Sequence, residues 1–189
     1  GELNRCVSGS WLLVNKSDGI GVGTGGIVGM NESEKDLSYL LNQAFVDRQL
    51  ANGATSRFAG GIIGTQTNQT TTDWTIENCV NYGTVYGYQS HYSGGIVGQW
   101  TNNGGTIENC YNYGNLQTTL VVGGVGASGG IVAQMYHAAS GQDFNIISCQ
   151  NHGSLYGRHG ENKSNSANDS AGILGNITAY RADNGGGQS

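Results

Sequence analysis

The chain repeats itself, and the repeat constrains the fold more than any other feature. A motif of two small residues followed by two aliphatics, GGIVG in its fullest form, starts at Gly25, Gly60, Gly94, Gly129 and, as AGILG, at Ala171. The steps between starts are 35, 34, 35 and 42 residues. A fixed period in this range marks an array of supersecondary units that cannot bury an apolar face alone and do so by stacking.

A second block keeps the same period. TIENCVNYGTVYG runs from Thr75 to Gly87, TIENCYNYGNLQ from Thr106 to Gln117 and NIISCQNHGSLYG from Asn145 to Gly157. An isoleucine (Ile76, Ile107, Ile146) stands three residues before the cysteine of each block, and an aliphatic (Val85, Leu116, Leu155) six residues after it. The same frame fits two degenerate copies, one through Leu3, Cys6 and Leu12, the other through Leu41, Ala44 and Leu50 with alanine in the cysteine place. The chain is thus expected to hold one domain over 1–180, in five repeats bounded 3–40, 41–75, 76–106, 107–145 and 146–180, followed by a glycine-rich tail at 181–189.

Each apolar segment is four to six residues long and bounded by glycine or polar residues, which reads as strand and turn. Like residues recur in register, so successive repeats can stack at ~4.8 Å. The expected fold is all-β, a parallel β-helix of about five turns with three short strands per turn. Composition agrees. With 34 Gly, no Pro and only 11% charged residues, the chain lacks the charged faces of a helical bundle and the proline of collagen. Proline would also remove a ladder donor from any interior strand. The segment 33–41 could form at most one or two helical turns, because the repeat frame claims 39–46 as strand. The first repeat leaves no room for a cap, so the piece is expected to come from a longer chain.

The pattern I-x-N-C-x-N-x-G-x-V followed by GGIVG resembles the GLUG-type repeats of bacterial surface proteins. The resemblance covers about Leu3 to Ala179 and implies a β-solenoid in an extracellular or cell-surface, adhesin-like protein. It implies no single activity.

Candidate chemistry is sparse. Cys79, Cys110 and Cys149 share one repeat position with Cys6. No C-x₂-C spacing points to a metal, and stacked parallel side chains are poor geometry for a disulfide, so a ladder of reduced, buried thiols is expected. Asn81, Asn112 and Asn151 form a second ladder, a corner at which asparagine tolerates left-handed backbone and bonds to its own copy. The GxGxxG matches at Gly21–Gly26 and Gly124–Gly129 precede strands, not helices, and carry no phosphate-site signal. The GxSxG match around Ser128 falls where every repeat has a small residue. Glu77 and Glu108 are expected to stack on the exterior. Trp74 and Trp100 are expected at a groove edge or as loop anchors.

One column remains for binding. Tyr82, Tyr113 and His152 follow the ladder asparagines, with Tyr86 and Tyr156 in a neighbouring column. Such rings combine an apolar body with a polar tip and suit glycan or protein contact. The function expected from sequence is therefore a non-catalytic structural or adhesive module that meets a host or matrix glycan or protein. The alternative is a carbohydrate-binding module or the β-helix domain of a polysaccharide-processing protein. No catalytic residue, metal or cofactor is expected. The net charge of −5 gives no footprint for nucleic acid, and no run is long enough to enter a membrane.

Overall fold

The computed structural model describes residues 3–9, 12–14, 23–32, 35–49, 58–68, 74–88, 92–102, 104–119, 126–137, 143–158 and 168–179. The tail expected at 181–189 lies outside these residues, as do 69–73 and 159–167. The described chain is all-β. Its strands form five parallel sheets of five, and each sheet takes one strand from every repeat.

In the third repeat the five strands are Thr75–Glu77, Val80–Asn81, Val85–Tyr88, Tyr92–Gly94 and Val97–Asn102. The chain passes through the five sheets in this order, then returns to the first sheet one strand further along. Five strands per repeat replace the expected three. The reason is local. A residue in the left-handed region precedes each cysteine position (Arg5, Tyr39, Asn78, Asn109 and Ser148, φ 50–57°) and breaks the first expected strand into two, and the GG corner divides the last, as between Tyr92–Gly94 and Val97–Asn102. Left-handed backbone therefore sits three residues before the asparagine ladder, not on it.

Register is kept in every column. Leu3, Leu37, Ile76, Ile107 and Ile146 stand one above another, as do Leu12, Val46, Val85, Leu116 and Leu155. The second repeat is thus framed on Leu37, Leu40 and Val46, four residues before the expected Leu41, Ala44 and Leu50. Leu40, fully buried, takes the cysteine place. Ala44 takes the place of Gly83.

The interior is filled by these columns. Ile62, Ile63, Ile76, Ile96, Ile107 and Ile131 are sealed from solvent in the main apolar cluster. Trp74 and Trp100 join them, with centroids 4.7 Å apart, and Phe144 meets Trp100 edge-on at 4.7 Å. Both indoles are core residues, not groove edges. Gly105, whose register neighbours in the first sheet are Trp74 and Phe144, has φ 143° and leaves no space for a Cβ, which would lie 2.9 Å from Trp74.

The GG motif is a packing requirement. A Cβ on the first glycine (Gly25, Gly60, Gly94, Gly129) would lie 1.7–2.0 Å from the carbonyl three residues on, and none of these glycines has positive φ. A Cβ on the second would meet both the next repeat's backbone and a ladder asparagine.

Candidate functional site

The candidate site grows out of the asparagine ladder. Asn42, Asn81 and Asn112 are fully buried, and each Nδ2 donates to the Oδ1 of the next asparagine, from Asn42 through to Asn151, at 2.7–2.8 Å. Each side chain also closes its own turn. Asn81 Oδ1 accepts from Gly83 N–H at 3.1 Å while its Nδ2 donates to the Gly83 carbonyl at 2.9 Å. The ladder begins at Asn42, one repeat earlier than the expected Asn81, because Asn42 belongs to the corrected second frame.

Strand alternation sends the next residue outward. Tyr82 and Tyr113, 54% and 44% exposed, and the exposed His152 form one continuous stack. Their centroids lie 5.0 and 4.9 Å apart, with interplanar angles of 12° and 8°. The rings face one another along the stack, so outward they show edges, two phenol hydroxyls and an imidazole. His152 Nε2 lies 3.0 Å from Gln150 Oε1. In the adjoining third sheet Tyr86, Gln117 and Tyr156 are register neighbours. Tyr156 is exposed and Tyr86 half-buried.

The other candidates resolve as structure. Cys79 and Cys110 are buried, Cys6 and Cys149 are partly covered, and all four are free thiols. The Cys79, Cys110 and Cys149 thiols donate to the carbonyls of Glu77, Glu108 and Ile147 at 3.2–3.3 Å. Hydrogen bonding with Cys149 and then Cys79, together with burial, pushes the Cys110 thiol far above its ordinary range. Four reactive thiols are expected per denatured chain under non-reducing conditions. Before unfolding, alkylation should spare Cys79 and Cys110, and recovery of only two thiols after denaturation would show a disulfide in the column.

Ser128 is buried, with its Oγ 2.7 Å from Thr118 Oγ1, so the GxSxG match lies on a packed strand, Gly126–Gly129. Glu77 and Glu108 are register neighbours, each half-exposed, with Ser38 and Ile147 on either side. Among the described residues no cluster of three His, Cys, Asp or Glu could hold a metal ion, and no helix is long and apolar enough to cross a membrane. No family model, curated protein or solved structure matches the chain.

Proposed function

We propose that this chain is a non-catalytic structural and adhesive module of a bacterial cell-surface or secreted protein, a GLUG-like array wound as a parallel β-helix of five turns. The observation that carries this reading is the row Tyr82, Tyr113 and His152. Three amphipathic rings at a constant step stand on backbone fixed by a buried asparagine ladder, so the row meets a partner already ordered. Preordering lowers the entropic cost of binding. Tyr156 and Gln117 widen the row on the next sheet.

The stack also defines how a partner is held. Both faces of Tyr113 and one face each of Tyr82 and His152 are taken by neighbouring rings, so along the row a partner meets edges and hydroxyls. An extended glycan or peptide lying along the row would find a hydroxyl at each of two successive steps and the imidazole at the third. The carbohydrate-binding alternative draws on this same repeat, since one ring step is comparable with the length of a pyranose unit.

Substituting Tyr82 and Tyr113 together with alanine tests the proposal. Losing their stacking contacts should lower stability by only about 1–3 kcal/mol and leave the fold intact. Binding to glycan arrays and to immobilised matrix proteins should disappear. Unchanged binding by a folded double variant would move the contact elsewhere, and global unfolding would make the stack a structural element.

A further inference from the structure

We propose that the partner of the aromatic row is a neutral, β-1,4-linked hexopyranose chain that lies along the row and is held edge-on by the phenol hydroxyls. This rests on the adhesive reading of the row and narrows it from glycan or protein to one class of glycan.

The centroids of Tyr82, Tyr113 and His152 follow at 5.0 and 4.9 Å, and interplanar angles of 12° and 8° carry that step out to the ring edges. A β-1,4-linked hexopyranose chain runs straight, because both linking bonds at each sugar are equatorial, and it advances by about one such step per unit. Alternate sugars are turned over, but each bears hydroxyls on both edges, so every ring of the row meets one. An extended peptide does not keep step. Its side chains on one face recur every ~6.7 Å, so by the third ring it is roughly 3.5 Å out of register. Laid across the row instead, it would touch a single ring. An α-helix advances about 5.4 Å per turn and keeps better step, but it docks through an apolar stripe. Here the outermost groups are hydroxyls and an imidazole. One flank is Thr84, Asn115 and Ser154, and on the other only the half-buried Val80 and Tyr111 offer apolar surface. A polar flank beside a narrow apolar one suits a sugar, whose rim carries hydroxyls and whose faces carry C–H groups.

Charge separates neutral from charged glycans. The segments 80–86, 111–117 and 150–156, which build this face, contain no Asp, Glu, Lys or Arg. Glu77 and Glu108 lie before the left-handed corner, on the first sheet. A charged chain of either sign would lose water on this face without meeting a counter-charge. A neutral chain loses only hydrogen bonds to water, which the hydroxyls and amides replace.

Ring orientation sets the mode of contact. A sugar lying flat needs an open aromatic face, and both faces of Tyr113 are covered by Tyr82 and His152. Binding therefore depends on the hydroxyl edge and not on the rings as such.

Calorimetric titration with hexasaccharides tests the proposal. Cellohexaose or N-acetylchitohexaose should bind. Maltohexaose (α-1,4) and laminarihexaose (β-1,3), which coil away from a straight row, should bind at least about tenfold more weakly. Changing Tyr82 and Tyr113 together to phenylalanine keeps the stack, so circular dichroism and melting temperature should hold. Affinity for the β-1,4 chain should nevertheless fall by about tenfold or more, as expected for two lost hydrogen bonds. A phenylalanine variant that binds like the parent would overturn the proposal and point to apolar contact, as with a docked helix. Equal binding of the three linkages would overturn it too. If no β-1,4 chain binds, but matrix-protein binding is lost when Tyr82 and Tyr113 become alanine, the glycan falls and the adhesive reading stands. If no binding of either kind depends on the row, both fall.

Discussion

Gly95→Ala is expected to destabilise the chain by about 3 kcal/mol or more, at the upper end for forcing extra volume into a packed interior. The new methyl would lie 2.0 Å from the Gly130 carbonyl and 2.4 Å from Asn112 Cγ. The carbonyl is backbone and the amide is fixed in the ladder, so neither can swing aside as the end of a flexible chain would. Gly172 is the internal control, because it holds the same repeat position in the last copy and has open space around its Cβ. Gly172→Ala should change stability by less than ~0.5 kcal/mol, as surface substitutions do, at concentrations where the chain is monomeric. Urea unfolding checks both through the midpoint at constant slope. Equal costs at the two positions would mean that the glycine serves backbone conformation and not the space between repeats.

This contrast also shows what the sequence made legible. The GG spacing located the first four repeats because the cause is the same each time, a close approach that admits no side chain, whereas the fifth, with Ala171 and an unhindered Gly172, was located by the aliphatic pair that follows. The aromatic row was legible for a related reason, since Tyr82, Tyr113 and His152 each follow a ladder asparagine and alternation then sets their direction. The second repeat was misframed because leucine replaces its cysteine, and Ala44, as small as a thiol, offered a false match. The pair Asn42 and Ala44, equivalent to Asn81 and Gly83, was the signal that would have corrected it. Strand number was hidden by the left-handed corners, since Arg5, Tyr39 and Ser148 at that position share no composition with Asn78 and Asn109. The indole pair was hidden too. Trp74 precedes the strand Thr75–Glu77 of the first sheet and Trp100 lies in Val97–Asn102 of the fifth, and their contact depends on tertiary packing beside Gly105. The orientation of the tyrosine rings, face to face and not face to solvent, is likewise a product of stacking that no column of letters contains.

Asn112→Ala is expected to be the costliest alanine substitution in the ladder. The side chain makes four hydrogen bonds. It accepts from Asn81 Nδ2 at 2.7 Å and from Gly114 N–H at 3.2 Å, and it donates to Asn151 Oδ1 at 2.7 Å and to the Gly114 carbonyl at 2.9 Å. Deleting it strands one Asn81 Nδ2 hydrogen and the Gly114 carbonyl in the interior, where an unmade hydrogen bond costs ~1–3 kcal/mol, while Gly114 N–H keeps the Asn81 carbonyl at 3.2 Å. The sum is about 2–6 kcal/mol. Asn151→Ala should cost less than half as much, because Asn151 is only half-buried and water can reach the groups it leaves. Asn112→Asp distinguishes hydrogen bonding from volume. The shape is kept, but an ionised carboxylate cannot donate to Asn151 Oδ1 or to the Gly114 carbonyl, and it buries a charge. At neutral pH this variant should be less stable than Asn112→Ala. Burial raises the folded-state pKa of the new acid above its unfolded value of about 3.9. The folded chain therefore binds the proton more tightly, and the penalty should grow as pH rises above that value and fade as pH falls towards it. Urea midpoints for the two variants, measured from acid to neutral pH, should converge or cross as the pH is lowered. Parallel profiles, or an aspartate variant as stable as the parent at neutral pH, would show that the column is held by shape and not by its chain of amide hydrogen bonds.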